Sequence, residues 1–456
     1  MWKTVSRRHF LKAAGAVAGA ALAGVRPAAR AQAAAPKKRW FKGNLHMHNQ
    51  WSDGKPLPEW AVDWYKSNGY HFICPSDHNI FQADDLRFDG FGFKNPPSDP
   101  AAFESETSLW KVISPTPGWP KLMQAHVEQA KAKFGKDSVR TITVGGRTYV
   151  RMKPFSELEK QFVEPGKFLM IPGYEQTGGC SKDQQVHVNF INVRTVFPYI
   201  TARTPKEILE RTYAKGREAY GAGEYLFTAN HPLWRYYDYS PADLIALPQI
   251  RLFELNNNDV ATGYDQHPEG WKPERFWDVV NAYRAAHGQP LLLGMGSDDR
   301  HSYGPRAKAW SVVRAARLAT EDLLGAISAG DFYASNGLDF EDIQFDGRTL
   351  SVKIDAREEG PFRIVFLGTK KDYDPSSRSV NVAKGLRRPA RKIDVYSDTI
   401  GATLATVEGT QGAYTLKADD LYVRAKIVKV PADLKDDWQS QPAAWTQPYT
   451  RSTNAG

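Results

Sequence analysis

Two hydrophobic periods exchange along the chain from about residue 40 to 335. Short apolar or alternating runs between turn residues predict strands, and apolar residues three and four apart predict helices. Residues 40–48 read as a first strand. Pro56-Leu57-Pro58-Glu59 opens a helix through Lys66, with Trp60, Ala61, Trp64 and Tyr65 at helical spacing and Asn68-Gly69 as its stop. A second strand, 71–75, runs into Ser76-Asp77-His78-Asn79. The rhythm breaks over about 80–166, where a helix at 121–133 and a hairpin turning at Gly145-Gly146 form an insertion on the loop side. It returns with strands at 167–171, 186–193, 225–228, 251–255 and 290–295 and helices at 205–220, 273–287 and 320–329. Such exchange predicts a parallel sheet or barrel over residues 40–335. Beyond Asp339 the segments are short and alternating, at 350–354, 362–367, 393–397, 412–416 and 422–427. They predict a small antiparallel β-sandwich domain over 339–452.

Composition supports a packed protein, with 41% hydrophobic and 12% aromatic residues among 456. The formal charge of +9 is concentrated at the start. Residues 1–33 hold six basic residues and no acid, so their removal leaves 54 basic against 51 acidic residues. A chain so near neutrality gives no compositional case for a nucleic-acid partner. The same 33 residues read as a signal peptide. Ser6-Arg7-Arg8-His9-Phe10-Leu11-Lys12 looks like a twin-arginine export motif, a moderately apolar run follows over 13–25, and Ala31-Gln32-Ala33 offers a cleavage site. That run is short of the roughly 20 residues that span a bilayer, so no stable membrane anchor is expected. The expected partner is the twin-arginine export machinery, and the expected location is periplasmic or extracellular. Cys74 and Cys180 could form one bridge but no disulfide framework.

Eleven histidines are present, and their placement carries the chemistry. His46 and His48 lie two apart at the end of the first strand, so both imidazoles can face one ion while Met47 turns away. His78, His187, His231 and His301 fall in or beside later strands, mostly at their C-terminal ends. Asp53, Glu175 and Asp299 occupy the same class of position, and Asp299 and His301 repeat the two-residue spacing. In a parallel barrel all these ends open on one face. Six imidazoles and three carboxylates exceed one ion's needs and suit two or three divalent ions such as Zn, Mn or Fe. Asp77 and Asp298 have the opposite strand parity to the neighbouring ligands, which predicts that they orient imidazoles from behind. Arg300 or Arg306 is the expected holder of an anionic substrate group.

The series His46-x-His48, Asp53-Gly54, Asp77-His78-Asn79, Glu175, Val186-His187-Val188-Asn189, Asn230-His231-Pro232 and Asp299-x-His301 resembles the PHP (polymerase and histidinol phosphatase) superfamily. Lys42-Gly43-Asn44-Leu45, Pro172 to Thr177 and Ala444-Trp445-Thr446-Gln447-Pro448 are similar to its exported CehA/McbA-like metallohydrolases. The resemblance implies a distorted (β/α)7 TIM-like barrel with a multinuclear centre. It implies His46, His48, Glu175 and Asp299 on one ion, Glu175 with His187 and His231 on a second, and Asp53, His78 and His301 on a third. Asp53 stands where some relatives have His. Glu175, Asp299 and His301 are the residues expected to carry catalysis. The expected activity is ester hydrolysis of a small molecule by metal-activated hydroxide, with a phosphoester favoured and a carbamate or carboxylic ester as the alternative. A non-catalytic module with structural metals is the third reading.

Overall fold

A computed structural model of the chain describes residues 37–82, 110–112, 119–181, 184–234, 238–257, 272–302, 309–383, 390–430 and 441–451. The chain divides into two compact units, Met1–Lys37 and Lys38–Gly456. Every element below belongs to the second, and the signal segment lies outside the described residues.

β1 (Arg39–Asn44) and β2 (Phe72–Ile73) flank α1 (Pro58–Ser67). The two strands pair in parallel with Gly43 opposite Phe72. A Cβ on Gly43 would lie 2.1 Å from the Phe72 ring, so only glycine allows that approach. α1 starts with Pro58, whose missing N–H has no partner to lose in a first turn. The insertion supplies β3 (Trp110–Val112), α2 (Trp119–Phe134), β4 (Thr141–Val144), β5 (Arg147–Arg151) and an unanticipated α3 (Phe155–Phe162). The expected hairpin is there. Val144 pairs with Arg147, and Gly145 and Gly146 take φ of +56° and +74°, the signs a type I′ turn needs. α3 buries Phe155, Leu158 and Phe162 in the same apolar cluster as Ala61, Val62 and Tyr65 of α1.

Next come β6 (Leu169–Met170), β7 (Gly173–Ser181), β8 (Gln184–Ile191), α4 (Pro205–Tyr220), β9 (Leu226–Ala229), α5 (Pro241–Ile245), β10 (Leu252–Asn257), α6 (Pro273–Ala286) and β11 (Leu293–Ser297). β12 (Trp310–Ala315), α7 (Thr320–Ala329) and β13 (Phe332–Ser335) follow. The C-terminal part holds β14 (Phe340–Phe345), β15 (Thr349–Ile354), β16 (Phe362–Lys370), β17 (Ser377–Val382), β18 (Arg391–Tyr396), β19 (Ala402–Glu408), β20 (Gln411–Thr415), β21 (Asp420–Lys429) and β22 (Ala443–Thr446).

The architecture is mixed α/β, but the strands do not form the single closed barrel expected. They form a five-stranded sheet, β11-β10-β9-β8-β7, a nine-stranded sheet, β19-β16-β21-β22-β13-β12-β1-β2-β6, and three small sheets, β14-β15-β20, β17-β18 and β3-β5-β4. Single-residue pairs join the two large sheets, Met47 with Arg300 and His78 with Glu175. Two local causes break the parallel rule. β7 and β8 are separated by two residues, too few for a crossover helix, so β8 runs antiparallel to β7 and to β9. β1 also pairs antiparallel with β12. The nine-stranded sheet runs across residue 339, because β13 pairs with β22 and β22 with β21.

A buried ion network ties α6 to β21. Arg424 donates to Asp278 through Nε at 2.9 Å and Nη2 at 2.6 Å, the Tyr422 hydroxyl donates to the same carboxylate, and Arg424 Nη1 lies 3.1 Å from Glu274. Cys74 is buried and Cys180 half-buried, and both are free thiols. No described helix is long and apolar enough to cross a membrane.

Candidate metal centre

The end of β1 is zipped to the segment leaving β11. Asp299 N–H donates to the His46 carbonyl and His48 N–H to the Arg300 carbonyl, each at 2.9 Å, while Asp298 N–H donates to Asn44 Oδ1. These bonds hold the backbone extended, so His46 and His48 share a side and Met47 enters the apolar cluster behind them. The two Nε2 atoms lie 3.1 Å apart. Each also approaches Asp299 Oδ1, at 3.2 Å from His46 and 3.0 Å from His48.

Glu175, fully buried near the start of β7, is the hub. Its Oε1 lies 3.1 Å from His187 Nδ1 and 3.4 Å from both His46 Nε2 and His231 Nε2. Its Oε2 lies 2.8 Å from His78 Nδ1 and 3.4 Å from His48 Nε2. Asp53 sits at the open edge with its side chain 47% exposed, its Oδ1 3.2 Å from His301 Nε2 and its Oδ2 3.7 Å from His78 Nε2. All nine residues expected as ligands are thus brought together. Their partition differs from the one the resemblance implies. Ligand atoms within 4.8 Å of one another form the groups His48/Asp53/His78/His301, His46/Glu175/His231, His46/His48/Asp299 and His78/Glu175/His187. His78 therefore also reaches the Glu175/His187 group, and His231 falls with His46.

Among the described residues four non-glycines have positive φ, and three belong to this centre: Asn79 at 52°, His231 at 21° and Asp299 at 44°. Such backbone persists where surrounding bonds over-determine it. Asn79 donates through N–H to the Glu175 carbonyl and accepts through Oδ1 from Thr177 N–H; His231 N–H donates to Glu254.

Glu254, which the sequence reading passed over, is the main addition. Its Oε1 accepts from His46 Nδ1 at 2.6 Å and Ser297 Oγ at 2.5 Å, and its Oε2 accepts from His231 N–H at 3.0 Å and Asn257 Nδ2 at 2.7 Å. The only signal was an acid inside the otherwise apolar start of β10. Asp77 and Asp298 were expected to orient imidazoles; Asp77 reaches one through Ser52, whose Oγ donates to it and lies 3.3 Å from His48 Nδ1, and both carboxylates also brace backbone. Asp77 gathers Asn49 N and Nδ2, Ser52 N and Oγ, and Gln82 Nε2, fixing the loop after His48. Asp298 accepts from the Tyr70 hydroxyl and Ala309 N–H. Arg300 lies between Asp299 and His301, so alternation turns it away. Its guanidinium stands 4.3 Å over the Trp64 ring, a placement that lends the expected substrate role no support. Arg306 lies outside the described residues.

Electrostatics divide the imidazoles. Burial opposes charge on His46, yet Asp299, Glu254 and Glu175 together raise its pKa well above the usual value. His78 and His231 are raised too, against burial, chiefly by Glu175. Burial, with His301 and His78 adding repulsion, lowers His48 to about 4, and burial lowers His187 to about 4 despite Glu175. Glu175 itself is held well below the carboxylate range, its burial outweighed by His78, His46 and His187.

This donor set fits divalent cations. Glu175 Oε2 and Asp299 Oδ1 are buried without a hydrogen bond of good geometry among the described residues, and the His46 and His48 Nε2 atoms stand 3.1 Å apart beside Asp299 Oδ1. Carboxylate and imidazole donors converging in this way suit a divalent cation once the imidazoles are neutral.

The loop carrying Asp53 is equally constrained. A Cβ on Gly54 would lie 2.3 Å from Asn49 N and 2.4 Å from the His48 carbonyl carbon, both backbone. Gly54→Ala is expected to destabilise the protein by about 1–2 kcal/mol through overpacking. The urea midpoint reads this, and an unchanged midpoint would contradict the close packing.

Residues 4–24 match the twin-arginine translocation pathway signal sequence, so the chain carries a signal for export by that route. No curated protein matches the chain. Among solved structures, it is similar to a two-domain protein from Bacteroides vulgatus containing a predicted PHP-like metal-dependent phosphoesterase, at 13% identity and TM-score 0.36 over 85% of this chain and 90% of that one. A candidate metal-dependent phosphoesterase from Bifidobacterium adolescentis is similar at 13% identity and TM-score 0.25, over 58% of this chain and 89% of that one. An amidohydrolase from Chromobacterium violaceum with bound sulfate and no metal is similar at 10% identity and TM-score 0.25, over 58% and 89% respectively.

Proposed function

We propose that this protein is an exported hydrolase of the PHP superfamily, in its CehA/McbA-like branch, that cleaves a small-molecule phosphoester at a centre of two or three divalent ions. The observation that supports it is Glu175, a buried carboxylate with imidazoles on both oxygens. His46, His48, Asp53, His78, Glu175, His187, His231, Asp299 and His301 would hold the ions. When bound, Zn, Mn or Fe would polarise the scissile oxygen and acidify water. The chain's own groups do the rest. Glu254 fixes the His46 ring, Asp77 fixes the loop that presents Asp53, and Trp234, 4.7 Å from the His187 ring, walls the site. His301, the most exposed of the six imidazoles, stands beside Asp53 at the mouth of the centre.

A neutral carbamate or carboxylic ester is the second reading. One observation favours it: Arg300, the cation expected to hold a phosphate, stands over the Trp64 ring. Aryl phosphate and aryl ester panels with the same metal-loaded protein separate the two. Esterase turnover without phosphatase turnover would sink the first.

Metal uptake is expected to release protons. In the metal-free centre His46, His78 and His231 have raised pKa values, so each still holds its proton at pH 6.5, the ordinary imidazole pKa, and must lose it to ligate. The sign follows. Protonation of these three stabilises the metal-free fold most below pH 6.5, and this contribution is lost as pH rises through their raised values, whereas cation binding strengthens over the same rise. His48 and His187, at about 4, add nothing to this dependence near neutrality. Calorimetric titration in two buffers of different ionisation enthalpy counts the protons. A count of zero between about pH 6.5 and 7.5 would contradict the assignment.

A further inference from the structure

At the opposite end of the strands that carry His231, Glu254 and Asp299 lies a cavity of about 180 Å³. Its floor is Leu226, Leu252 and Leu293, the first residues of β9, β10 and β11, all buried, with Leu252 opposite Leu293 in the β10–β11 register. Its rim is polar. Arg217 comes from α4, and Arg251 immediately precedes β10, where its Nη1 donates to the Ser328 carbonyl at 3.2 Å. Neither guanidinium has a carboxylate within ion-pair distance among the described residues. Tyr225 also lines the cavity, with its hydroxyl buried beside Gly216 of α4 and not open to the cavity.

Two guanidinium groups without a carboxylate partner, beside an apolar floor, make a site for an anion with an apolar body. The volume is about six times the ~30 Å³ share of a liquid water, room for one ring or one branched chain. We propose that this cavity binds a small monocarboxylate with an aromatic or branched apolar body, head toward Arg217 and Arg251 and body on the three leucines. The site is separate from the metal centre and does not depend on its chemistry.

The test uses the exported, metal-loaded protein with phenylacetate, phenylacetamide and inorganic phosphate as probes in calorimetric titrations. Phenylacetate is expected to saturate one site. The amide lacks the charge and phosphate lacks the body, so each is expected to bind at least about tenfold more weakly. Arg251→Gln and the double variant Arg217→Gln/Arg251→Gln alter only exposed rim residues, and each is expected to lose about tenfold or more in phenylacetate affinity with hydrolytic turnover unchanged. Undiminished binding in the double variant would place the carboxylate elsewhere, the metal centre included, and overturn the proposal. So would equal affinity for phosphate, or no saturation below about 10 mM.

Discussion

Glu175→Gln is expected to abolish both ion retention and turnover, the latter by on the order of 10³-fold or more. The reason is geometric. Each oxygen of Glu175 faces nitrogen: Oε1 meets His187, His46, His231 and Asn230 Nδ2, and Oε2 meets His78 and His48. A carboxylate accepts from both sides, and an amide cannot. Its NH₂ would have to face one of the two nitrogen sets with no acceptor beyond a bare imidazole lone pair, the lone pair a cation needs. The substitution also removes the anion that helps raise His46, His78 and His231, so their protons leave at lower pH. Elemental analysis, steady-state rates and far-UV circular dichroism on the same preparation check this. Full activity in a folded, metal-poor variant would eliminate the hydrolytic mechanism. Full ion content with unfolding on chelation and no turnover in the parent protein would favour the structural-metal reading.

Much of this centre was legible because strands impose a period of two. His46-x-His48 and Asp299-x-His301 place pairs on one side whatever the tertiary context, and strand C-terminal ends gather them even though the strands do not close into one parallel barrel. The same rule places Arg300 on the far side, where it meets Trp64, so its assignment to substrate contradicted the parity that located its neighbours. What parity does not contain is connection length and partner choice. The two-residue link between β7 and β8 is too short for a crossover, yet two adjacent apolar runs look the same whether they pair in parallel or antiparallel. Likewise the strands after residue 339 alternate as a separate sandwich would, and the pairing of β22 with β13 carries four of them, β16, β19, β21 and β22, into the sheet of β1. The sharing of His78 and His231 depends on which side of Glu175 each ring approaches, a matter of angles between strands rather than of sequence order.

Glu254 was missed because its role lies behind the ligands, and it yields the second large effect. Its pKa is lowered: burial opposes its charge, but His46 beside it prevails, so it is an ionised acceptor and His46 Nδ1 must donate to it. That bond commits the His46 Nε2 lone pair to the centre. In Glu254→Gln the single amide oxygen can serve either His46 Nδ1 and Ser297 Oγ or His231 N–H and Asn257 Nδ2, and the amide nitrogen then opposes two donors on the other side. If the oxygen serves His231, the nitrogen donates to His46 Nδ1, and a neutral His46 must carry its proton on Nε2, where no ion can be held. If the oxygen serves His46, the backbone at His231, already at a positive φ, loses the acceptor of its N–H. Either arrangement is expected to weaken ion affinity by about 10- to 100-fold. Competition with a chelator measures this, and the thermal midpoint of the metal-free variant tells positioning from collapse. A positioning residue leaves that midpoint within a few degrees of the parent while affinity falls, and rates recover at saturating metal if the His46 tautomer is restored by the ion itself. Unchanged affinity would mean that Ser297 and Asn257 hold the rings without Glu254, and that the carboxylate inside β10 serves the fold alone.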